Sequence, residues 1–403
     1  MTKLYCLLLL LVTSVVLAQS PVPSGAILEK VATGFQQPEG PVWKDGVGLL
    51  FSDIQRSTIY RWSQADSITI FMHPSDSSNG LTFDRQGRLI LTQMLSRRVA
   101  RQELNGDIIP LASTYNGKKF NSPNDVVVKS DGSIFFTDPD FNIPVNQKKE
   151  LTFQGIYRIS PSGTLSLLDS SLNKPNGICF SLDEKKLFVN ESALDKIYVW
   201  DVVNDSTITN KKLFNTIPMQ GYADGMKIDS AGNIYCAGPT GVWIISPAGV
   251  LLDKIAMPVT PSNCNWGDID RKTLYITAGN AASGNKSADI GLYRIRLATM
   301  TGVKDHGSLS PKSFKLYGNY PNPFNPSTTI YFELPYASRV LLNIYDILGR
   351  KIDTLIDGTM QSGYHNVQFT PTGIGGGIYL YRLTADAGKI GRYSATKKML
   401  VIK

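Results

Sequence analysis

NDVVVKSDGSIFFTD, residues 124–138, sets two short β-branched and aromatic runs on either side of a turn built on Ser130, Asp131 and Gly132. A further strand, QGIYRIS at 154–160, follows it. The same order of turn and strand recurs in KDGVGLLFSD at 44–53, DRQGRLILT at 84–92, LDEKKLFVNE at 182–191, DSAGNIYCAG at 229–238 and DRKTLYITAG at 270–279. Each of these is followed by a strand, at 57–62, 97–104, 195–202, 240–246 and 290–297. A strand also precedes each turn, opening on EGPVW at Glu39, NGLTF at Asn79, NDVVV at Asn124, NGICF at Asn176, DGMKI at Asp224 and NCNWG at Asn263. The spacings are 40, 45, 52, 48 and 39 residues, and six small antiparallel sheets of that length predict an all-β, six-bladed β-propeller over residues 26–297. Fourth strands are expected at 68–71, 107–111, 165–168, 211–214 and 250–255. None follows 297, so AILEKVATGF at 26–35 is expected to supply the outer strand of the last blade and hide an edge. An open sandwich is the alternative, and six aligned repeats weigh against it.

The innermost strand of a propeller blade faces the central channel, so the six opening residues converge on the axis. Glu39, Asn79, Asn124, Asn176, Asp224 and Asn263 offer two carboxylates and four amides, hard oxygen donors that suit calcium better than zinc. Asn or Asp before Gly also makes tight turns. Turns alone do not account for Asn124 before Asp125, for Asn263 before Cys264, or for Glu39.

Composition narrows the chemistry. The chain of 403 residues is 42% hydrophobic and 18% charged, which excludes disorder and collagen-like repeats. Its three histidines, His73, His306 and His365, are far apart, which argues against a histidine-rich zinc centre. His73 beside Pro74 is expected at the surface. Residues 1–18 read as a cleavable export signal, with Lys3 before a short apolar run and small residues at Val16 and Ala18. Cys179, Cys236 and Cys264 remain after it, an odd number without zinc-type spacing, and Cys179 and Cys236, within apolar strand-like runs, are expected to be buried. The net charge of +8 lies mostly in residues 311–403, where 11 Lys and Arg face 5 Asp and Glu. The rest is close to neutral, so no nucleic-acid partner is expected, and no transmembrane segment remains once the signal is cleaved.

PEGPVW at 38–43, SNGLTFDRQGRL at 78–89, NSPNDVVVKSDGSIFFTDP at 121–139, KPNGICFSLDEKKLFV at 174–189 and YADGMKIDSAGNIY at 222–235 resemble the gluconolactonase/SMP-30/regucalcin family over about residues 27–297. That resemblance implies a lactone-hydrolysing enzyme with one divalent cation, most often Ca2+, with Zn2+, Mn2+ and Mg2+ as other occupants. It implies Glu39, Asn176 and Asp224 as metal ligands, with Asn124 completing the shell or contacting substrate; Asn79 and Asn263 are further substrate-binding candidates. The cation would polarise the lactone carbonyl, and a carboxylate would take the proton of the attacking water. Asp224 is the first candidate for that base and Asp125 the second. Relatives often carry His-Gly where this chain has Met94 and Leu95. Nearby Arg97 and Arg98 are expected on a solvated strand edge, with contact to an acidic sugar as the sharper reading. The competing functions are a non-enzymatic calcium-bound propeller that binds a sugar or protein, and a hydrolase of other esters or phosphotriesters.

ATMTGVKDHGSLSPK at 298–312 lacks strand periodicity and reads as a linker. Beyond it, STTIYFEL at 327–334, RVLLNIYDILGRKIDTLI at 339–356, HNVQFT at 365–370 and GIYLYRLTA at 377–385 alternate as a small Ig-like β-sandwich does. YGNYPNPFNPSTTI at 317–330 and the basic end KKMLVIK make residues 313–403 resemble the type A sorting domain of the type IX secretion system. The resemblance implies passage through the periplasm to the cell surface or medium. A generic carbohydrate-binding or adhesive sandwich ranks second, since this region lacks clustered Trp.

Overall fold

The structure is a computed structural model describing residues 20–63, 67–204, 207–218, 221–268, 270–297, 313–319 and 322–402. The expected signal at 1–18 and linker at 298–312 lie outside the described residues. The fold is all-β; among the described residues the only helical turns are three short 3-10 segments.

Six four-stranded antiparallel sheets follow one another. Their first strands are Pro38–Lys44, Ser78–Phe83, Val126–Val128, Pro175–Phe180, Met226–Ile228 and Pro261–Gly267. The fourth strand of the sixth sheet is N-terminal: Leu28–Thr33 pairs antiparallel with Gly291–Arg296, Leu28 opposite Ile295 and Thr33 opposite Gly291. The first strands contact one another in cyclic order, with Pro261–Gly267 back against Pro38–Lys44.

The second strands explain why the runs LLF, LIL, IFF, LFV, IYC and LYI are continuously apolar. Successive side chains of a strand point to opposite faces, and here both faces are covered by a neighbouring sheet. Leu49 and Phe51 pack with Tyr275 and Leu292 of the sixth sheet, while Leu50 between them packs with Leu81 and Leu91 of the second. Four further clusters fill the remaining gaps between successive sheets. Each fully buried aliphatic or aromatic side chain contributes roughly 1.5–3 kcal/mol, and a charge placed in these runs would break two interfaces at once.

Residues 315–401 form a three-stranded and a four-stranded antiparallel sheet around one core that includes Phe324, Phe332, Leu342, Tyr381 and Met399. Residues 397–401 of the basic end are part of the last strand, Arg392–Val401, which pairs along its length with Gly377–Asp386. A cavity of about 450 Å³ lies at the far ends of the six first strands, where Ile178, Lys227 and Trp266 meet Lys315, Tyr317 and Glu333 of the C-terminal region.

Candidate metal centre and active site

The six opening residues come together through a backbone relay. Ser52 Oγ donates to the Asn79 carbonyl at 2.6 Å, Thr92 Oγ1 to that of Asn124 at 2.6 Å, and Thr137 Oγ1 to that of Asn176 at 2.8 Å. Asn190 Nδ2 reaches the Asp224 carbonyl at 2.5 Å, and Ser262 Oγ the Pro38 carbonyl at 2.7 Å. A second-strand side chain of one sheet thus fixes the opening residue of the next in four of the six junctions. The following carboxylates secure the approach loops: Asp53 accepts Gln36 and Gln37 N–H, Asp138 those of Asn121 and Ser122, and Glu191 that of Asn173. Burial outweighs these hydrogen bonds at Asp138 and pushes its carboxyl up to about 7.

Glycine after the opening residue serves close approach more than turn formation. A Cβ on Gly80 would lie 2.5 Å from the Asn124 carbonyl oxygen, and one on Gly177 2.3 Å from that of Asp224. Side chains there would force adjacent first strands apart.

Glu39, Asn79, Asn124, Asn176 and Asn263 are buried, and Asp224 is half-buried. Burial pushes Glu39 up to about 7, with the Asp125 charge adding to it and hydrogen bonds from Gly40 N–H and the Asn263 side chain opposing it. Burial and the Glu39 charge hold Asp224 well above the usual carboxylate range, against a hydrogen bond from the Asn176 side chain. Two acids that repel one another are what a cation would relieve. Among the described residues Asn176 Oδ1 is buried without a hydrogen-bond partner, an oxygen donor ready for a ligand. Among the described residues no three His, Cys, Asp or Glu side chains are grouped to hold a metal, because the donor set here is two carboxylates and amides. The oxygen chemistry and the orphaned Asn176 oxygen fit a hard divalent cation.

Asp125 sits apart from that pair in its bonding. Its Oδ1 accepts Val126 N–H at 2.9 Å, its Oδ2 accepts Ile178 N–H at 3.3 Å, and the Lys227 ammonium stands 3.7 Å away. Neither Lys227 nor the relay donors Ser52, Thr92, Thr137 and Asn190 were evident from sequence. The doublets Ser-Asp, Thr-Asp and Asn-Glu ending three of the second strands were the available signal.

Arg97 corrects an expectation. Its guanidinium is fully buried, donating to the carbonyls of Phe120 at 2.6 Å, Asn121 at 3.1 Å and Lys148 at 2.9 Å, so it ties a loop in place and touches no solvent. Arg98 is half-buried and donates to Gln93 Oε1 at 2.7 Å. Met94 is buried, Leu95 is exposed, and His73 is exposed with Nδ1 3.0 Å from Thr58 Oγ1. Cys179, Cys236 and Cys264 are free and buried, and burial pushes Cys179 and Cys264 up to about 12. Among the described residues no helix is long and apolar enough to cross a membrane.

The model of the SMP-30/gluconolactonase/LRE-like region matches residues 37–280, and that of a secretion-system C-terminal sorting domain matches 319–401. A gluconolactonase of Zymomonas mobilis is 32% identical over 282 residues, 63% of this chain and 79% of that protein. A pentonolactonase of Haloferax volcanii is 24% identical over 66% of this chain and 93% of its own length. Among solved structures, a gluconolactonase from Xanthomonas campestris superposes with a TM-score of 0.63 at 29% identity, covering 69% of this chain and 91% of that one. The repeated sheets, the oxygen-donor centre and these matches agree: the chain belongs to the SMP-30/gluconolactonase/LRE-like family and ends in a secretion-system sorting domain.

Proposed function

We propose that the six sheets are the blades of one six-bladed propeller over residues 26–297, and that the chain is an exported, metal-dependent lactonase acting on sugar-type lactones. Residues 298–312 are then a linker, and 313–403 an Ig-like sandwich that directs type IX export to the surface or medium after the signal at 1–18 is removed. The observation that carries the activity is the repelling pair Glu39 and Asp224 beside the unpartnered Asn176 oxygen. Relatives named for gluconolactone and pentonolactone hydrolysis support the substrate class.

Glu39, Asn176 and Asp224, with Asn124, are the residues that would hold the cation, for which calcium suits the donor set best. When bound it supplies Lewis-acid polarisation of the lactone carbonyl and stabilises the oxyanion. Asn79, Asn124 and Asn263 orient the ring through its hydroxyls. Asp224, half-buried and so open to the mouth, takes the proton of the attacking water at its carboxylate and returns it to the leaving ring oxygen. Asp125, whose oxygens already accept two backbone N–H groups, positions the strand and is the second candidate for the base.

Steady-state hydrolysis of D-glucono-1,5-lactone at saturating calcium tests the assignment. Asp224→Asn is expected to lose roughly 10²–10⁴-fold in kcat, and Asp125→Asn less than that. The reverse order would make Asp125 the base.

A further inference from the structure

Lys174 lies two residues before Asn176, and Tyr222 two before Asp224, so both stand on the side of the axial centre opposite the rear cavity. The Lys174 ammonium sits 4.6 Å from the centroid of the Phe141 ring and 5.6 Å from that of Tyr222, and the two rings meet edge to face at 6.3 Å. Lys174 is half-buried and makes no ion pair among the described residues, while Tyr222 is 57% exposed. The backbone of Lys174 is held in the left-handed region at φ +58°, uncommon for a residue with a side chain. It is fixed there by Lys174 N–H donating to Gln154 Oε1 at 3.0 Å and by Ser192 N–H donating to the Lys174 carbonyl at 3.0 Å. Two aromatic faces and a pinned backbone therefore hold a cation next to two of the axial residues, and among the described residues no carboxylate pairs with it.

We propose that Lys174, flanked by Phe141 and Tyr222, is a specificity residue that binds an anionic group carried by the substrate, so that the preferred lactones are those of dicarboxylic sugar acids. The free carboxylate of such a lactone accepts from the ammonium, while the rings pack on the sugar carbons and screen the contact from water. This rests on the lactonase reading given above.

The matched pair D-glucaro-1,4-lactone and D-glucono-1,4-lactone differ in having a carboxylate or a hydroxymethyl group at the far carbon. Their hydrolysis by the calcium-loaded full chain, with Lys174→Met and Lys174→Arg beside it, tests the assignment. The wild type is expected to favour the charged lactone in kcat/KM, and Lys174→Met to lose about 10- to 100-fold on it, mainly in KM, with the neutral lactone within about twofold. Lys174→Arg is expected to recover most of the loss. Equal losses on both lactones, or none on either, would overturn the proposal. Calorimetric binding of the open-chain products, D-glucarate and D-gluconate, separates the two readings. If neither lactone is turned over, lactonase activity fails, while selective loss of glucarate binding in Lys174→Met still supports the anion site. Unchanged glucarate binding refutes it.

Discussion

Glu39 and Asp224 hold their protons to higher pH than an exposed carboxyl does, so cation binding at the axial centre is expected to depend on pH. Because Glu39 is pushed up to about 7, a proton must leave before a cation enters in mildly acidic solution. Calcium affinity measured by calorimetry at pH 7.5, 6.5 and 5.5 is expected to fall at each step, by about threefold across the first and approaching tenfold across the second for each proton displaced. The sign for the cation-free fold is opposite. A raised folded-state pKa means the folded form binds more protons between about 4.5 and 7, so the contribution of Glu39 to stability falls as pH rises through that window. Glu39→Gln, Asn176→Ala and Asp224→Asn are each expected to weaken calcium binding at pH 7.5, and unchanged affinity in all three would remove the axial assignment. At this scale the sequence was legible where a residue type recurred at one register, as Asn, Asp and Glu do. It was illegible at Arg97, whose carbonyl partners lie 23 to 51 positions along the chain and leave no local pattern.

The second strands do more than fill the space between sheets. Thr137 follows the buried Phe135 and Phe136, yet its hydroxyl donates to the Asn176 carbonyl and accepts Asp125 N–H at 3.2 Å. Thr137→Val keeps the shape and removes that hydroxyl, leaving two buried backbone groups short of a partner at a cost of about 1–3 kcal/mol each. Thermal unfolding should shift several degrees downward, and calcium affinity should drop with it because Asn176 is no longer held. A variant that loses stability but binds calcium as before would show the relay to be structural only. Turn chemistry and β-branched runs made the strands themselves readable, including the N-terminal strand that completes the sixth sheet. The relay was hidden because a Ser or Thr in a strand is ordinary and names no partner.

At the scale of the whole molecule, the axial centre and the C-terminal region lie at opposite ends of the first strands, with Lys315, Tyr317 and Glu333 lining the rear cavity. The two ends are therefore expected to be separable in function. A mature chain ending at residue 303 is expected to fold, to bind calcium within about twofold of the full chain, and to melt slightly lower because Trp266 and its neighbours lose their cover. In the native host it should stop at the periplasm, and its appearance in the medium would show that export does not depend on residues 313–403. The separate β-rich tail was readable from composition and motif, whereas its place over the rear cavity was not, because that contact joins residues far apart in sequence.

Hydrolysis of aldonolactones by the purified mature chain, followed by pH-stat with and without a chelator, bears most directly on the reading of the axial centre. Turnover well above the spontaneous rate is expected with calcium, abolished by chelation and restored by added calcium. Hydrolysis that continues unchanged after the cation is stripped, or no hydrolysis of any lactone with calcium present, would contradict a metal-dependent lactonase.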